Sequence, residues 1–200
     1  MSTEKTLPIK CTNCSEPMAS PLACASCHCL YPEAESLDHF KVFGLPPAYD
    51  VDEEALRRKF LAISRSVHPD YFGGASDAMR TMSLRLSSEV NQAYRVLKDP
   101  FLRAEYLLEM AGGKSSAEDK TVPPSLLNEV FLLQEEIEEA KAGGDQTKLE
   151  PLKRDLTVRQ NGVVEQIRAL MGSLESDATK DEVRKQLNGL KYISNLIEQI

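Results

Sequence analysis

The sequence predicts an all-α protein: a long helical hairpin followed by a three-helix bundle, with a small cysteine-rich segment in front of them. Residues that favour helices dominate after position 37, chiefly Leu, Glu, Lys, Arg, Ala and Gln. Aromatic residues make up only 6% of the chain and Trp is absent, which does not favour long strands. Apolar residues also recur at spacings of three and four, the period of a helix with one buried face.

The composition indicates which kinds of molecule this protein can bind. The formal net charge of −7 opposes binding to phosphate backbones, so nucleic acid is not an expected partner. No run of about 18 apolar residues is available to span a membrane. The first ten residues contain neither the apolar core of a secretion signal nor the Arg of a mitochondrial presequence. We therefore expect a cytoplasmic protein that binds other proteins and neither membranes nor nucleic acids.

Changes in composition divide the chain into four predicted parts. The cysteines and several prolines cluster at the start, and a Leu/Glu/Lys-rich region occupies the end. Between the two helical regions, the run Gly112-Gly113-Lys114-Ser115-Ser116 is typical of a linker. The predicted limits are 1–35 for the cysteine-rich segment, 36–111 for the first helical domain, 112–122 for the linker and 123–200 for the bundle.

All five cysteines lie between residues 11 and 29, and four of them form two Cys-x₂-Cys pairs: Cys11, Cys14, Cys24 and Cys27. Two such pairs with a short spacer allow four thiolates to surround one Zn²⁺ tetrahedrally, so we expect a structural zinc site. In a reducing compartment, clustered thiols hold metal more often than they form disulfides. An iron centre and a reactive dithiol pair are the alternatives, and His28 and Cys29 are spare potential ligands.

In the middle region, a short helix is predicted over Leu37–Phe43, because Gly44 and Pro46-Pro47 prevent its continuation. A longer helix begins near Asp52. Its apolar residues form a narrow stripe that must face a core: Leu56, Phe60, Ile63 and Val67. Its outward face is basic, with Arg57, Arg58 and Arg65. In an acidic protein this face is either a docking surface or a merely solvated one.

The tripeptide His68-Pro69-Asp70 falls where this basic helix must end, since Pro69 moves His68 away from helical geometry. A helix with an apolar stripe from Met79 to Leu97 follows. Because the connection is short, the two helices must be antiparallel. A fourth helix then begins at Asp99-Pro100, where the aspartate supplies an N-cap. Taken alone, a His-Pro-Asp tripeptide would be interpreted as an ordinary turn that ends a helix.

The last region predicts three helices: one from Pro123-Pro124-Ser125 to Gly143-Gly144, one over Thr147–Met171 and one from Thr179 to the end. In the first of them Leu127 and Phe131 lie beside the packing stripe and next to Glu135. In the last helix Tyr192 lies opposite Val183, which is in the packing stripe. An apolar patch with an acidic rim favours a protein-binding surface, although a wide bundle core could bury the same side chains.

A basic helix, the His68-Pro69-Asp70 loop and a striped helix in this order resemble the J-domain family. The resemblance implies that Arg57, Arg58 and Arg65 dock on an acidic surface of a DnaK-class ATPase. It also implies that Asp70 pairs with a chaperone arginine and couples docking to ATP hydrolysis, while His68 and Pro69 shape the loop. Such a protein performs no bond chemistry itself and is not an enzyme.

Further motifs are similar to those of HscB, the J-protein family of iron–sulfur cluster biogenesis: Asp38-His39-Phe40, Phe43-Gly44-Leu45-Pro46, Asn91-Gln92-Ala93-Tyr94 and Arg103-Ala104-Glu105-Tyr106-Leu107-Leu108. Position 39 departs from the aromatic that these proteins often carry. The resemblance implies two partners, an HscA-type chaperone and the IscU-type scaffold protein, and some family members carry a comparable tetracysteine segment. Matching positions of the scaffold-binding surface are Leu127, Phe131, Glu135 and Tyr192.

Two other interpretations remain open from the sequence. One is a J-domain protein of the same architecture with an unrelated client. The other is a zinc-dependent hydrolase that uses His68 and Asp70. A site with four cysteine ligands disfavours the hydrolase, because it leaves no open metal position for water or substrate.

Overall fold

The structure, a computed structural model, describes residues 10–18, 20–31, 37–144 and 146–200, and in these ranges all regular elements are helical. This confirms the predicted all-α fold class. The helices are α1 (His39–Val42), α2 (Glu53–Ser66), α3 (Asp77–Lys98), α4 (Pro100–Met110), α5 (Pro124–Ala142), α6 (Gln146–Leu170) and α7 (Asp177–Gln199), with short 3₁₀ helices at Pro69–Phe72 and Met171–Ser173. The chain forms two compact units, residues 1–102 and 103–200.

Helix α2 begins and faces the core as its sequence predicts. The carboxylate of Asp52 accepts a hydrogen bond from the backbone N–H of Ala55 at 2.9 Å, which caps the first turn. From the predicted stripe, Leu56, Ile63 and Val67 are buried. Phe60 is only half-buried because it lies at the edge of the stripe, where its ring stacks on Tyr94 of α3.

Contacts between α2 and α3 confirm the predicted antiparallel hairpin. The rings of Phe60 and Tyr94 stack with their centroids 4.0 Å apart. Near the other end of α2, the hydroxyls of Ser83 and Ser87 donate to the carbonyl of Val67 at 2.7 and 3.0 Å. Residue numbers therefore rise along one helix as they fall along the other. These serines hold the end of α2 in place, directly before the loop that follows.

Helices α1 and α4 begin at aspartate caps. The Asp38 carboxylate accepts from the backbone N–H of Lys41 at 2.9 Å, so the first helix starts at His39 and is shorter than predicted. Asp99 accepts from the N–H groups of Phe101 and Leu102 at 2.8 and 3.0 Å, as the Asp-Pro sequence indicates.

In the second unit, α5, α6 and α7 form the predicted three-helix bundle. Its buried core contains Ile137, Ala140, Leu149, Leu156, Ile193 and Leu196. Helices α5 and α7 run in the same direction, since Leu126 lies against Gly189 and Lys141 bonds to the carbonyl of Gln199. A Cβ at Gly189 would lie only 2.8 Å from Leu126 Cδ2, so the glycine permits this close approach.

The segment predicted as a linker is held against α7 by hydrogen bonds. The Asn188 side-chain amide donates to the carbonyls of Asp119 and Thr121, both at 3.0 Å. The Lys114 ammonium lies 3.1 Å from the Asp181 carboxylate. The predicted domain limits remain predictions, but the described segment is fixed at several points. None of the described helices is both long and apolar enough to cross a membrane.

Candidate functional site

The two Cys-x₂-Cys pairs fold into turns of the same design. In the first, the N–H of Ser15 donates to the carbonyl of Cys11 at 2.9 Å; in the second, the N–H of His28 donates to the carbonyl of Cys24 at the same distance. Ser15 and His28 each follow the second cysteine of a pair, and both have left-handed φ values, 62° and 56°. These turns direct the thiols of each pair toward a common point.

The structure brings the four predicted ligands together. Sulfur–sulfur distances are 3.5 Å between Cys11 and Cys27 and 3.6 Å between Cys14 and Cys24, and all four sulfurs lie within 4.8 Å of one another. Zinc–sulfur bonds of about 2.3 Å place tetrahedral ligands about 3.8 Å apart. The donor set and its spacing therefore fit one metal ion. Cys29 is not part of this cluster.

Tyr31 adds a contact to the cluster that the sequence did not indicate. Its hydroxyl donates to the Cys11 sulfur at 3.3 Å and accepts from the backbone N–H of Thr12 at 2.9 Å. The hydrogen bond from Tyr31 lowers the pKa of the Cys11 thiol to about 6. The backbone N–H of Glu16 favours the thiolate of Cys14, but burial and the neighbouring thiols oppose it and raise the pKa of Cys14 to about 12. A bound cation would favour the thiolate form of every ligand.

The His68-Pro69-Asp70 loop is a compact turn at the end of α2. Backbone N–H groups close it from both sides: Asp70 N–H donates to His68 Nδ1 at 3.3 Å and Tyr71 N–H to the His68 carbonyl at 3.1 Å. The buried ring of Phe72 anchors the turn in the unit. The Asp70 carboxylate is 88% exposed and has no Lys or Arg partner among the described residues. The carboxylate Oδ2 lies 3.5 Å from His68 Nδ1 of the same turn. The loop therefore presents an exposed carboxylate, accessible to a cationic partner, on a fixed backbone.

The three predicted arginines are all exposed on α2. Arg58 pairs with Glu54 at 3.6 Å, an exposed pair that contributes little to stability. Arg65 shares a shallow groove with His68 and Asp70, and the groove is completed by Leu61, Ser64 and Tyr71. Arg57 and Arg58 lie about two turns earlier along the same helix. The structure thus places one arginine beside the loop and two farther from it.

Leu61 and Tyr71 are groove residues that we did not single out from the sequence. Both side chains are exposed although they are apolar or aromatic. Leu61 lies 140° from Leu56 around α2, which separates it from the buried stripe. The helical wheel could therefore have identified Leu61. Nothing local in the sequence indicated that Tyr71 faces this groove.

On the bundle, the predicted apolar side chains are exposed rather than buried in the core. The exposed fractions are 42% for Leu127, 63% for Phe131 and 40% for Tyr192. Leu127, Phe131 and Glu135 are spaced by four residues, so they follow one face of α5. Tyr192 lies on α7, one turn after Gly189, where α7 contacts α5. Leu132, 64% exposed, adds apolar surface to α5 that we did not predict.

Sequence comparisons identify relatives of the chain. The family described as "HSCB C-terminal oligomerisation domain" matches residues 122–200. The co-chaperone protein HscB homolog of Vibrio cholerae is 34% identical over 166 residues, which cover 82% of this chain and 95% of the relative. The Bordetella petrii homolog is 42% identical over 105 residues, which cover 52% of this chain and 62% of the relative.

Solved structures show the same fold. Chaperone HscB from Vibrio cholerae superposes with a TM-score of 0.69 at 32% identity, covering 81% of this chain and 94% of the other. Human co-chaperone HscB shares the fold, with a TM-score of 0.76 at 24% identity and coverage of 94% and 95%. Identity above 30% across nearly the whole length of the Vibrio cholerae protein shows that this chain belongs to the HscB family of co-chaperones.

Proposed function

We propose that this protein binds an iron–sulfur scaffold protein of the IscU type, delivers it to an HscA-type DnaK-class chaperone and stimulates ATP hydrolysis by that chaperone. Cluster transfer from the scaffold is promoted as a result. The observation that carries the proposal is the carboxylate of Asp70, which is exposed on a fixed turn and has no Lys or Arg partner among the described residues. The hydrolysis takes place on the chaperone, so this protein contributes binding and positioning.

Asp70 suits the role of a trigger because its carboxylate can pair with an arginine of the chaperone. Bidentate carboxylate–guanidinium pairs are strong and directional, so they transmit the geometry of docking. The turn limits the positions that the carboxylate can adopt, since Phe72 is buried and His68 accepts the N–H of Asp70. Docking therefore requires little ordering of the loop, which lowers its entropic cost.

The arginines of α2 would guide the chaperone to the loop. Arg57, Arg58 and Arg65 are all exposed on α2, so they form a local basic surface. This surface contrasts with the protein as a whole, whose formal net charge is −7. Such a surface attracts an acidic partner and accelerates association at low salt. Because Arg65 shares its groove with Asp70, attraction by this arginine would bring the partner directly to the loop.

The client would bind the other unit, through Leu127, Phe131 and Tyr192 with Glu135 at the rim. Exposed apolar and aromatic side chains beside charged residues are typical anchors of protein interfaces. The loop lies in unit 1–102 and these four residues in unit 103–200. Stimulation of the chaperone and binding of the scaffold should therefore be separable by mutation.

We also propose that Cys11, Cys14, Cys24 and Cys27 hold a structural zinc ion. A segment this small cannot form a sufficient apolar core, and a metal supplies the missing stability. Four thiolates leave no open coordination position for catalysis. We place the protein in the cytoplasm, a reducing compartment in which thiolates remain available to metal.

Single-turnover ATP hydrolysis by an HscA-type chaperone tests the proposal. We expect Asp70→Asn, which keeps the shape of the side chain and removes its charge, to abolish stimulation without loss of stability. Asp77→Asn is the matched control, because Asp77 is an exposed aspartate at the start of α3. Stimulation by Asp70→Asn within about twofold of wild type, a difference of about 0.4 kcal/mol, would contradict the proposal.

A further inference from the structure

The second cysteine turn lies against the loop that carries Asp70. The imidazole of His28 stacks on the ring of Tyr71, with centroids 4.8 Å apart and planes inclined by 13°. His28 directly follows Cys27, and Tyr71 directly follows Asp70. A single ring contact therefore connects the neighbour of Cys27, a proposed metal ligand, to the neighbour of Asp70, the carboxylate proposed to trigger the chaperone.

The position of the His28 ring is set by the cysteine turn. The backbone N–H of His28 donates to the carbonyl of Cys24 at 2.9 Å, and the φ of His28, 56°, is uncommon for a residue with a side chain. Its Nδ1 is buried and has no hydrogen-bond partner among the described residues, which costs stability. Hydrogen bonding through Nδ1 thus does not hold the ring where it lies. The stack on Tyr71 is the contact that the structure provides.

On the other side of the contact, Tyr71 belongs to the loop itself. Its N–H donates to the carbonyl of His68 at 3.1 Å, and its ring lines the groove that contains His68 and Asp70. Because Tyr71 and Asp70 are adjacent in a 3₁₀ turn, their backbone positions are coupled. A change in the position of the Tyr71 ring would shift the turn that presents the carboxylate.

We propose that His28 and Tyr71 are positioning residues through which metal binding at the four cysteines holds the trigger loop, residues 68–72, in its docking conformation. With the metal bound, the turn from Cys24 to His28 is fixed and so is the stacked imidazole. Without it, the four thiols lose their common ligand and the support of Tyr71 is lost. The role of the loop in docking rests on the proposed chaperone function, whereas the linkage between metal and loop rests only on the proposed metal site.

This linkage must act equally in both directions. If the metal stabilises the stacked loop, the stacked loop stabilises the metal site by the same factor. Stacked aromatic pairs of this kind change an equilibrium by roughly threefold to tenfold. We expect that factor for both zinc affinity and loop opening.

Full-length protein loaded with zinc tests the inference through two measurements that need no chaperone. Competition with a chromophoric chelator reports zinc affinity, and amide hydrogen exchange of residues 68–75 reports opening of the loop. Tyr71→Ala removes the stack, and Tyr71→Phe is its matched control because it keeps the ring. His28→Asn also removes the stack, and asparagine tolerates the left-handed backbone at this position.

We expect Tyr71→Ala and His28→Asn each to weaken zinc binding about threefold to tenfold and to accelerate exchange of the loop by a similar factor. Tyr71→Phe should match wild type in both. Removing zinc should accelerate loop exchange in wild type but not in Tyr71→Ala, because the connection is already broken there. The double variant should be no worse than either single variant.

Loop exchange in wild type that is the same with and without zinc would overturn the inference. The inference would also be overturned if Tyr71→Ala and His28→Asn both bound zinc as tightly as wild type. If wild-type protein fails to stimulate the chaperone, the proposed function is wrong, but these two measurements still decide whether metal and loop are linked. The two failures are therefore distinguishable.

Discussion

Arg184, only 1% exposed, is held by the carboxylate of Glu105, and one of its two contacts measures 2.7 Å. The Arg184 Nε also donates to the Asn188 side-chain carbonyl at 3.1 Å. Asn188 in turn binds the backbone at Asp119 and Thr121. A buried guanidinium thus organises one network that joins α4, the segment around residues 114–121 and α7, all within unit 103–200.

The first prediction follows from this pair. Glu105→Ala leaves the buried guanidinium of Arg184 without a counter-charge, so we expect the free energy of unfolding to fall by about 3–5 kcal/mol. Glu109→Ala on the same helix is the control, since Glu109 is exposed. Urea denaturation followed by circular dichroism measures both. A loss below about 1 kcal/mol for Glu105→Ala would show that water or other groups satisfy the arginine.

The second prediction concerns pH and the same segment. The pKa of Glu118 lies below its usual value because Ser115 donates to its carboxylate, through the backbone N–H and the hydroxyl, both at 2.8 Å. The pKa of Asp119 is lowered by hydrogen bonds from the hydroxyl and N–H of Thr121. Stability from a lowered pKa is present above the carboxyl's ordinary value and is lost as pH falls through the lowered one.

We therefore expect hydrogen exchange of residues 115–121, corrected for its intrinsic pH dependence, to be constant from neutral pH down to about 5 and to accelerate below about pH 4. Glu118→Gln combined with Asp119→Asn should remove this transition. Protection that weakens instead as pH rises through the neutral range would contradict the sign of both pKa changes.

How much of the site was predictable depends on whether the signal is local. The start of α2 near Asp52, the Asp99 cap and the buried Leu56, Ile63 and Val67 follow from residue type and spacing within one short stretch of chain, and the structure contains them. The four cysteines were predictable for the same reason, because two Cys-x₂-Cys pairs specify the turns that bring their sulfurs together.

Contacts across long sequence separations were not predictable in this way. The Gly-Gly-Lys-Ser-Ser run is typical of a linker, and no local pattern indicates that Asn188, about seventy residues later, binds this segment. The stack of His28 on Tyr71 joins positions separated by 43 residues. A buried arginine such as Arg184 is also unpredictable from composition, because charged residues are rarely buried unless paired.

The third prediction tests the basic surface. Arg58→Glu with Arg65→Glu should weaken binding to the chaperone and flatten its dependence on salt, because both arginines are exposed and act through screened charge. Lys153→Glu with Arg154→Glu changes the net charge equally from exposed positions on α6 and should have little effect. Chaperone binding by both double variants, measured from low to high salt, decides whether the arginines of α2 form a docking surface. If the two double variants behave alike, the arginines of α2 form only a solvated face.

The fourth prediction concerns the metal. We expect one zinc per chain by elemental analysis, and its loss when Cys11 and Cys14 are replaced by Ser. The helical content should persist, because the buried residues of α2, α3 and the bundle do not include the cysteines. Cys29→Ser is the control, since its sulfur is outside the cluster. Iron with a visible charge-transfer band, or no metal in protein purified without chelator, would contradict the assignment.

The last prediction separates the client surface from the fold. Leu127→Ala, Phe131→Ala and Tyr192→Ala together should weaken scaffold binding at least about a hundredfold, because each interface anchor contributes roughly 1–3 kcal/mol. Stimulation of the chaperone in the absence of scaffold should be unchanged, since the loop is in the other unit. Because the three side chains are substantially exposed, truncating each should cost less than a core deletion of about 2–5 kcal/mol.

Calorimetric titration of the scaffold into wild type and the triple variant measures the affinity, and thermal melts report the stability of the bundle. Val158→Ala is the control, because Val158 is an apolar residue of α6 with 70% of its side chain exposed. It should bind and melt like wild type. A triple variant that melts as low as a core deletion shows that these residues pack the bundle, whereas a stable one that still binds normally places the client surface elsewhere.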